Sequence, residues 1–237
     1  VNRALYAAAT GMAAQQQNLD VVADNLANAD VAGFKRASAV FAAMGDDLGT
    51  APAGLRRSFE QGKLEKTGGP CDLAIDGPGF FRVERDGRAG FTRAGSFARA
   101  SDGSLRTADG WALRDVRVPA DARSLDVRPD GRVVARTAAG TRELGRIELA
   151  EFDAPERLRP LGSALFGATP AAGKERLLRP GGARGPAIAF GTLERSNVSI
   201  VESMMAILTA QRAYEANAKG VQAADEMQRI ANNLHRS

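Results

Sequence analysis

All ten prolines and 24 of the 26 glycines of this 237-residue chain lie between Gly33 and Gly191, and that segregation limits what it can fold into. Proline breaks the interior of a helix, and glycine weakens it by about 1 kcal/mol relative to alanine. Long helices are therefore confined to the two ends, and the interior is left to strands and turns. Residues 1 to about 30 carry one glycine and are rich in Ala, Gln, Leu and Asn. Leu5, Met12, Leu19 and Leu26 recur every seven residues, and Ala8, Gln15, Val22 and Ala29 follow each by three. That is the a/d spacing of a helix lying along another helix. At the other end, Ser199 followed by Glu202 reads as a capping box. Ile200, Met204, Ile207, Gln211, Tyr214, Ala218, Val221, Ala224, Met227, Ala231 and Leu234 then follow in steps of three and four.

The interior has the opposite character. Strand-like runs at Leu73–Ile75, Phe80–Val83, Trp111–Leu113, Val116–Val118, Leu125–Val127, Val133–Ala135 and Ile147–Phe152 alternate with turn signals. The pairs Asp76-Gly77, Asp86-Gly87, Asp102-Gly103, Asp109-Gly110 and Asp130-Gly131 supply residues that accept positive φ in tight turns. An all-β domain of short strands is expected here. The proline-rich stretch from about 155 to 190 reads as an irregular covering loop.

The side-chain inventory argues against catalysis. One cysteine, Cys71, excludes an internal disulfide framework and a multi-thiolate zinc site. One histidine, His235, leaves little imidazole chemistry. Apolar residues at 44% and charged residues at 25% are ordinary for a chain with a packed core, and no apolar run is long enough for a spanning helix. The first residues lack the pattern of a cleaved secretory leader. The net charge is +4, but the arginines are scattered and aromatics are few, unlike a nucleic-acid groove lined by stacking rings. Gly77-Pro78-Gly79 reads as a turn rather than a dinucleotide fingerprint, and Asp46-Asp47 as a solvated loop rather than a cation site. No catalytic, cofactor-binding or metal-binding residues are assigned.

The helical ends pose a physical problem. Each stripe is narrow, and ordering a residue's backbone costs about 1–2 kcal/mol. Such helices become stable when several neighbours pack around them, so the chain reads as one that completes its fold by assembling. The alternative is that the two ends pair as an antiparallel hairpin and dock onto the β domain.

The motifs themselves then carry a resemblance. Arg3-Ala4-Leu5-Tyr6, Thr10-Gly11-Met12, Asn18-Leu19-Asp20-Val21-Val22-Ala23, Asn25-Leu26-Ala27-Asn28 and Gly33-Phe34-Lys35-Arg36 are similar to the N-terminal signature of bacterial flagellar rod and hook proteins. Leu193-Glu194, Ser196-Asn197-Val198 and Gln211-Arg212-Ala213-Tyr214-Glu215-Ala216-Asn217 resemble the other end of that family. Gln61-Gly62, Asp72-Leu73-Ala74-Ile75, Gly79-Phe80-Phe81 and Thr92-Arg93 resemble the opening of its β domain.

The resemblance implies an α+β, mainly β fold: a central all-β domain, D1, between long terminal coiled-coil helices, D0. It implies a helix over 1–32, an extended Dc-like region over 33–66, D1 over 67–190, a return linker over 191–198 and a second helix over 199–237. The implied function is a structural axial subunit of the basal-body rod that polymerises through its terminal helices into a hollow shaft passing motor torque to the hook. The distal-rod type is expected, with the proximal-rod type as the alternative. A ligand-binding or enzymatic β domain with helical oligomerisation arms is the rival from another class. Expected partners are further copies of the chain, sister rod and hook proteins, the surrounding rings and the export apparatus, without nucleic acid or membrane insertion. The expected location is the periplasm-spanning rod, reached by export without a cleaved leader. The expected assembly interface comprises Leu5, Met12, Leu19, Val22, Asn25, Leu26, Asn28, Gly33, Phe34, Ile200, Met204, Ile207, Gln211, Arg212, Tyr214, Val221, Met227 and Leu234. Asn25 and Asn28 are expected to bond across subunits, and Gly33 to supply a positive-φ turn beside an anchoring Phe34.

Overall fold

The structure is a computed structural model that describes residues 2–43, 50–162, 164–182 and 185–234, the side chains of 2–5 and 231–234 excepted. Asp46, Asp47 and His235 lie outside the described residues. The chain forms two compact units: Val1–Asn28, Arg36–Ser58 and Val198–Ser237 make the first, and Ala29–Lys35 with Phe59–Asn197 the second.

The first unit is built on two helices, α1 (Asn2–Ala27) and α2 (Ile200–Leu234), with an antiparallel hairpin of β1 (Ala37–Ala43) and β2 (Thr50–Arg57). The expected N-cap is in place: the Glu202 backbone N–H donates to Ser199 Oγ at 3.3 Å. The reciprocal half of the box is redirected, since the Glu202 carboxylate pairs with Arg36 at 3.3 Å. Much of the stretch expected as extended linker is thus hairpin, and its last part, from Phe59, belongs to the β unit.

The second unit is all antiparallel. Its largest sheet has nine strands, and along its main path these run Arg159–Gly162, Leu165–Gly167, Arg88–Thr92, Phe80–Arg85, Ala112–Arg117, Ser104–Arg106 and Ala98–Arg99. Leu149–Glu151 and Arg176–Leu178 branch from Phe80–Arg85. A three-stranded meander (Ser124–Val127, Arg132–Thr137, Gly140–Arg146) and two strand pairs complete the unit. In those pairs Leu73–Asp76 meets Ala187–Phe190, and Leu64–Lys66 meets Thr192–Glu194.

Successive side chains of a strand point to opposite faces, and adjacent Phe80 and Phe81 show the consequence. Phe81 and Val83 enter one core with Leu73, Ile75, Leu105, Val133, Ile147 and Leu149. Phe80 enters the other with Phe91, Phe152, Leu158 and Phe166, where the rings meet edge to face, Phe91 and Phe152 at 4.8 Å. The sheet is therefore buried on both sides. Asp86 and Gly87, at φ 51° and 72°, form the two-residue turn that their sequence calls for and bring Arg85 opposite Arg88.

Two expectations are corrected. Trp111–Leu113 and Val116–Val118 are not separate strands: Ala112–Arg117 is one strand, carried through a positive φ of 65° at Asp115. The stretch from 155 to 190 is not a covering loop: its described residues hold four strands. Pro160 is tolerated because Arg159–Gly162 is the outermost strand of its sheet. Its neighbour Leu165–Gly167 is fully buried and supplies Phe166 to the core.

Candidate functional site: the helix pair and the junction

The two helices pack on each other through small residues. Gly11 faces Asn217 so closely that a Cβ on the glycine would lie 3.1 Å from the amide nitrogen. Among the described side chains, Ala14, Val21 and Asn25 are the buried positions of α1, and Ser203, Ala210 and Ala224 those of α2. The α2 positions are spaced by seven and fourteen residues, with half-buried Asn217 filling the gap. Helix separation follows the size of the side chains at the contact, so this seam lets the backbones approach closely.

The large apolar residues are elsewhere. At 3.6 residues per turn, Val201, Met205 and Leu208 fall on the side of α2 opposite the Ser203–Ala210–Ala224 line, with Ile200 and Met204 on its flank. All five are exposed, Val201 by 71%. Met227, Ile230 and Tyr214 are exposed farther along. On α1 the buried positions likewise differ from the expected heptad, whose Met12, Leu19, Val22 and Leu26 are half-buried. Ile207 and Val221 are half-buried, whereas Gln211 and Arg212 are exposed. The side chains of Leu5 and Leu234 lie outside those described.

Asn25 differs from its expected role. It is buried inside the unit, where its amide donates to the Ala37 carbonyl at 2.7 Å and accepts the Ala37 N–H at 2.8 Å. That tie joins α1 to β1 and occupies the groups a neighbouring subunit would have used. Asn28 donates to the Asp24 carbonyl at 2.8 Å and carboxylate at 3.1 Å, closing the end of its own helix.

Gly33 and Phe34 are buried at the junction end of the β unit. Gly33 has φ 68°, and a Cβ there would stand 2.3 Å from the Ala94 nitrogen. Beside them lies a group of charges that the sequence reading did not single out. Lys35 and Glu194, both fully buried, form an ion pair of 2.5 Å, and Arg93, 5% exposed, reaches the second carboxylate oxygen at 3.2 Å. Arg93 also donates to the Gly77 carbonyl at 2.8 Å and lies over the Phe80 ring. Burial pulls the Lys35 ammonium and the Arg93 guanidinium below their usual pKa values, and the Glu194 charge opposes that pull. A signal for this cluster was present: each of the three residues sits inside a motif that carries the family resemblance.

The described residues hold no group of three or more His, Cys, Asp or Glu side chains placed for a metal. Among them, no helix is long and apolar enough to cross a membrane. A cleft of about 780 Å³ in the β unit is lined by Arg85, Arg88, Arg159, Trp111, Asp86 and Glu175, among others, and by no Ser, Cys or His.

Comparison with known proteins matches the same regions. A family described as "Flagella basal body rod protein" matches residues 5–35, "Flagellar hook protein FlgE/F/G D1 domain" matches 74–135, and "Flagellar basal body rod FlgEFG protein C-terminal" matches 190–234. The flagellar basal-body rod protein FlgG of Agrobacterium fabrum is 37% identical over 96% of this chain and 97% of its own length. FlgG of Borreliella burgdorferi is 38% identical over 99% of each, and the rod protein FlgF of Caulobacter vibrioides is 33% identical over 98% and 97%. On this evidence the chain belongs to the flagellar basal-body rod protein family, on its FlgG side.

Proposed function

We propose that the chain is a structural, non-catalytic subunit of the flagellar basal-body rod, of the distal type, which assembles through the outward faces of its terminal helices. The observation that carries the assembly reading is the two-faced α2. Its small-residue face is taken up by α1, while Ile200, Val201, Met204, Met205 and Leu208 face solvent. A contiguous row of large exposed apolar side chains marks an interaction surface, and burying each is worth about 1.5–3 kcal/mol. Further copies of the chain and sister rod and hook proteins are the partners this reading requires. Their helices would form a coiled-coil tube inside the rod, with the β units outside it, and torque would pass along the tube to the hook. Contact with the surrounding rings and delivery by the flagellar export apparatus belong to the same reading.

The test is the double variant Val201→Asp/Leu208→Asp, placed in cells lacking the native gene. It is expected to fold as a monomer with unchanged circular dichroism but to leave basal bodies without a complete rod in electron micrographs, and cells without swimming. Complete rods and normal swimming would overturn the assignment of this face.

A further inference from the structure

The chain passes between its two compact units four times, after Asn28, Lys35, Ser58 and Asn197. Three of these crossings are tied at their β-unit ends to one side chain. Lys35 is the last residue before its crossing, Glu60 lies two residues after the next, and Glu194 three before the last. The Glu194 Oε1 accepts from Lys35 Nζ at 2.5 Å and from the Gly62 N–H at 2.9 Å, and its backbone carbonyl accepts the Gly33 N–H at 2.7 Å. Lys35 also donates to the Glu60 carbonyl at 2.6 Å, which receives the Asn197 side-chain amide at 3.1 Å. The Asn197 N–H donates to the Phe34 carbonyl at 3.4 Å, and the Arg195 N–H to the Lys63 carbonyl at 2.9 Å.

The stoichiometry makes these ties interdependent. Two buried cations share one buried carboxylate. Removing Lys35 leaves Glu194 neutralised by Arg93, whereas removing the Glu194 charge takes from both buried cations the carboxylate they share, and removing one partner of a buried ion pair is strongly destabilising. Lys35 and Glu194 are also 159 residues apart in sequence, so the cluster closes only when both ends of the β unit are in place. We propose that Glu194 is the central residue of a junction clamp. The clamp holds the segments around Gly33–Lys35, Glu60–Lys63 and Glu194–Asn197 to the β unit as one cooperative element, so that the N-terminal and C-terminal arms are secured or released together. This inference rests on the β unit alone and does not depend on the rod assignment.

The experiment is native-state hydrogen exchange of the full chain carrying Glu194→Gln. The amides of Gly33, Gly62 and Arg195 are expected to exchange faster together, by at least about tenfold, while those of the Phe80–Arg85 strand keep their protection. Lys35→Met is expected to accelerate the same three amides by a smaller factor. Acceleration confined to one segment, equal acceleration of every amide, or no change would each overturn the clamp. Should Glu194→Gln fail to fold, Lys35→Met decides alone: joint acceleration supports the proposal, and acceleration at Gly33 without Arg195 refutes it.

Discussion

Asn25 separates an intrachain role from an intersubunit one, and the separation can be measured. Its side chain is 3% exposed and that of Ala37 4%, and its amide satisfies both the carbonyl and the N–H of Ala37. Asn25→Ala leaves two buried backbone groups without a partner, each costing about 1–3 kcal/mol. Alanine is the better helix former by roughly 0.5 kcal/mol, which offsets a small part. The net loss to the helical unit is then about 1.5–5.5 kcal/mol, large beside the roughly 5–15 kcal/mol that stabilises a typical domain. The assay is a urea titration of dilute monomer followed by far-ultraviolet circular dichroism, a signal dominated by α1 and α2. The midpoint is expected to fall markedly at a concentration where no polymer forms. If the monomer curve were superimposable on that of the wild type while assembly weakened, the tie to Ala37 would carry little energy. Asn25 would then act between subunits after all.

Gly33→Ala is expected to cost more than about 2 kcal/mol, since it combines an unfavourable positive φ with a Cβ placed against the Ala94 backbone; a reduced melting temperature of the β unit checks it. Phe166→Ala, at 1% exposure between Phe59 and Phe80, should cost about 3–5 kcal/mol, and calorimetry should show a β-unit transition at lower temperature. Asp102 accepts from the Ser104 side chain and N–H and from Arg106, which holds its carboxyl well below the usual carboxylate range. A depressed folded-state pKa gives a contribution that is present above the unfolded value and fades as the pH falls. Protection of the Ser104 amide should therefore decline only in strong acid, and Asp102→Asn should abolish that pH dependence.

What the sequence could reveal follows from which forces are local. The helices were legible because proline is absent from the ends and glycine nearly so, and the Asp86-Gly87 hairpin because positive φ is a property of two adjacent residues. The strands from 159 to 190 were not. Pro160 suggests a break when read alone, and only its place at a sheet edge makes it harmless. Leu165–Gly167 is too short to show a period, and its partner, Arg88–Thr92, lies more than seventy residues away. The charged cluster escaped for the same reason: Lys35, Arg93 and Glu194 are far apart along the chain, and their burial is a product of tertiary closure.

The helical seam is the more instructive case. A heptad search weights large apolar residues, and it finds Leu5, Met12, Leu19 and Leu26. Yet the contact between α1 and α2 runs through Gly11, Ala14, Ser203, Ala210 and Ala224, which a hydrophobicity pattern scarcely registers. Small residues suit an intrachain pair because the connecting fold has already met much of the entropy of bringing the helices together, so a seam that buries little area can suffice. Association between separate chains must also offset lost translational and rotational freedom, and it needs large apolar side chains to do so. The division on α2, small residues inward and Met204, Met205 and Leu208 outward, is the one expected if the inner face serves the single chain and the outer face serves its neighbours. Exchanging the two, with Ala210→Leu in the seam, should therefore damage the isolated monomer, whereas the outward Asp substitutions should spare it.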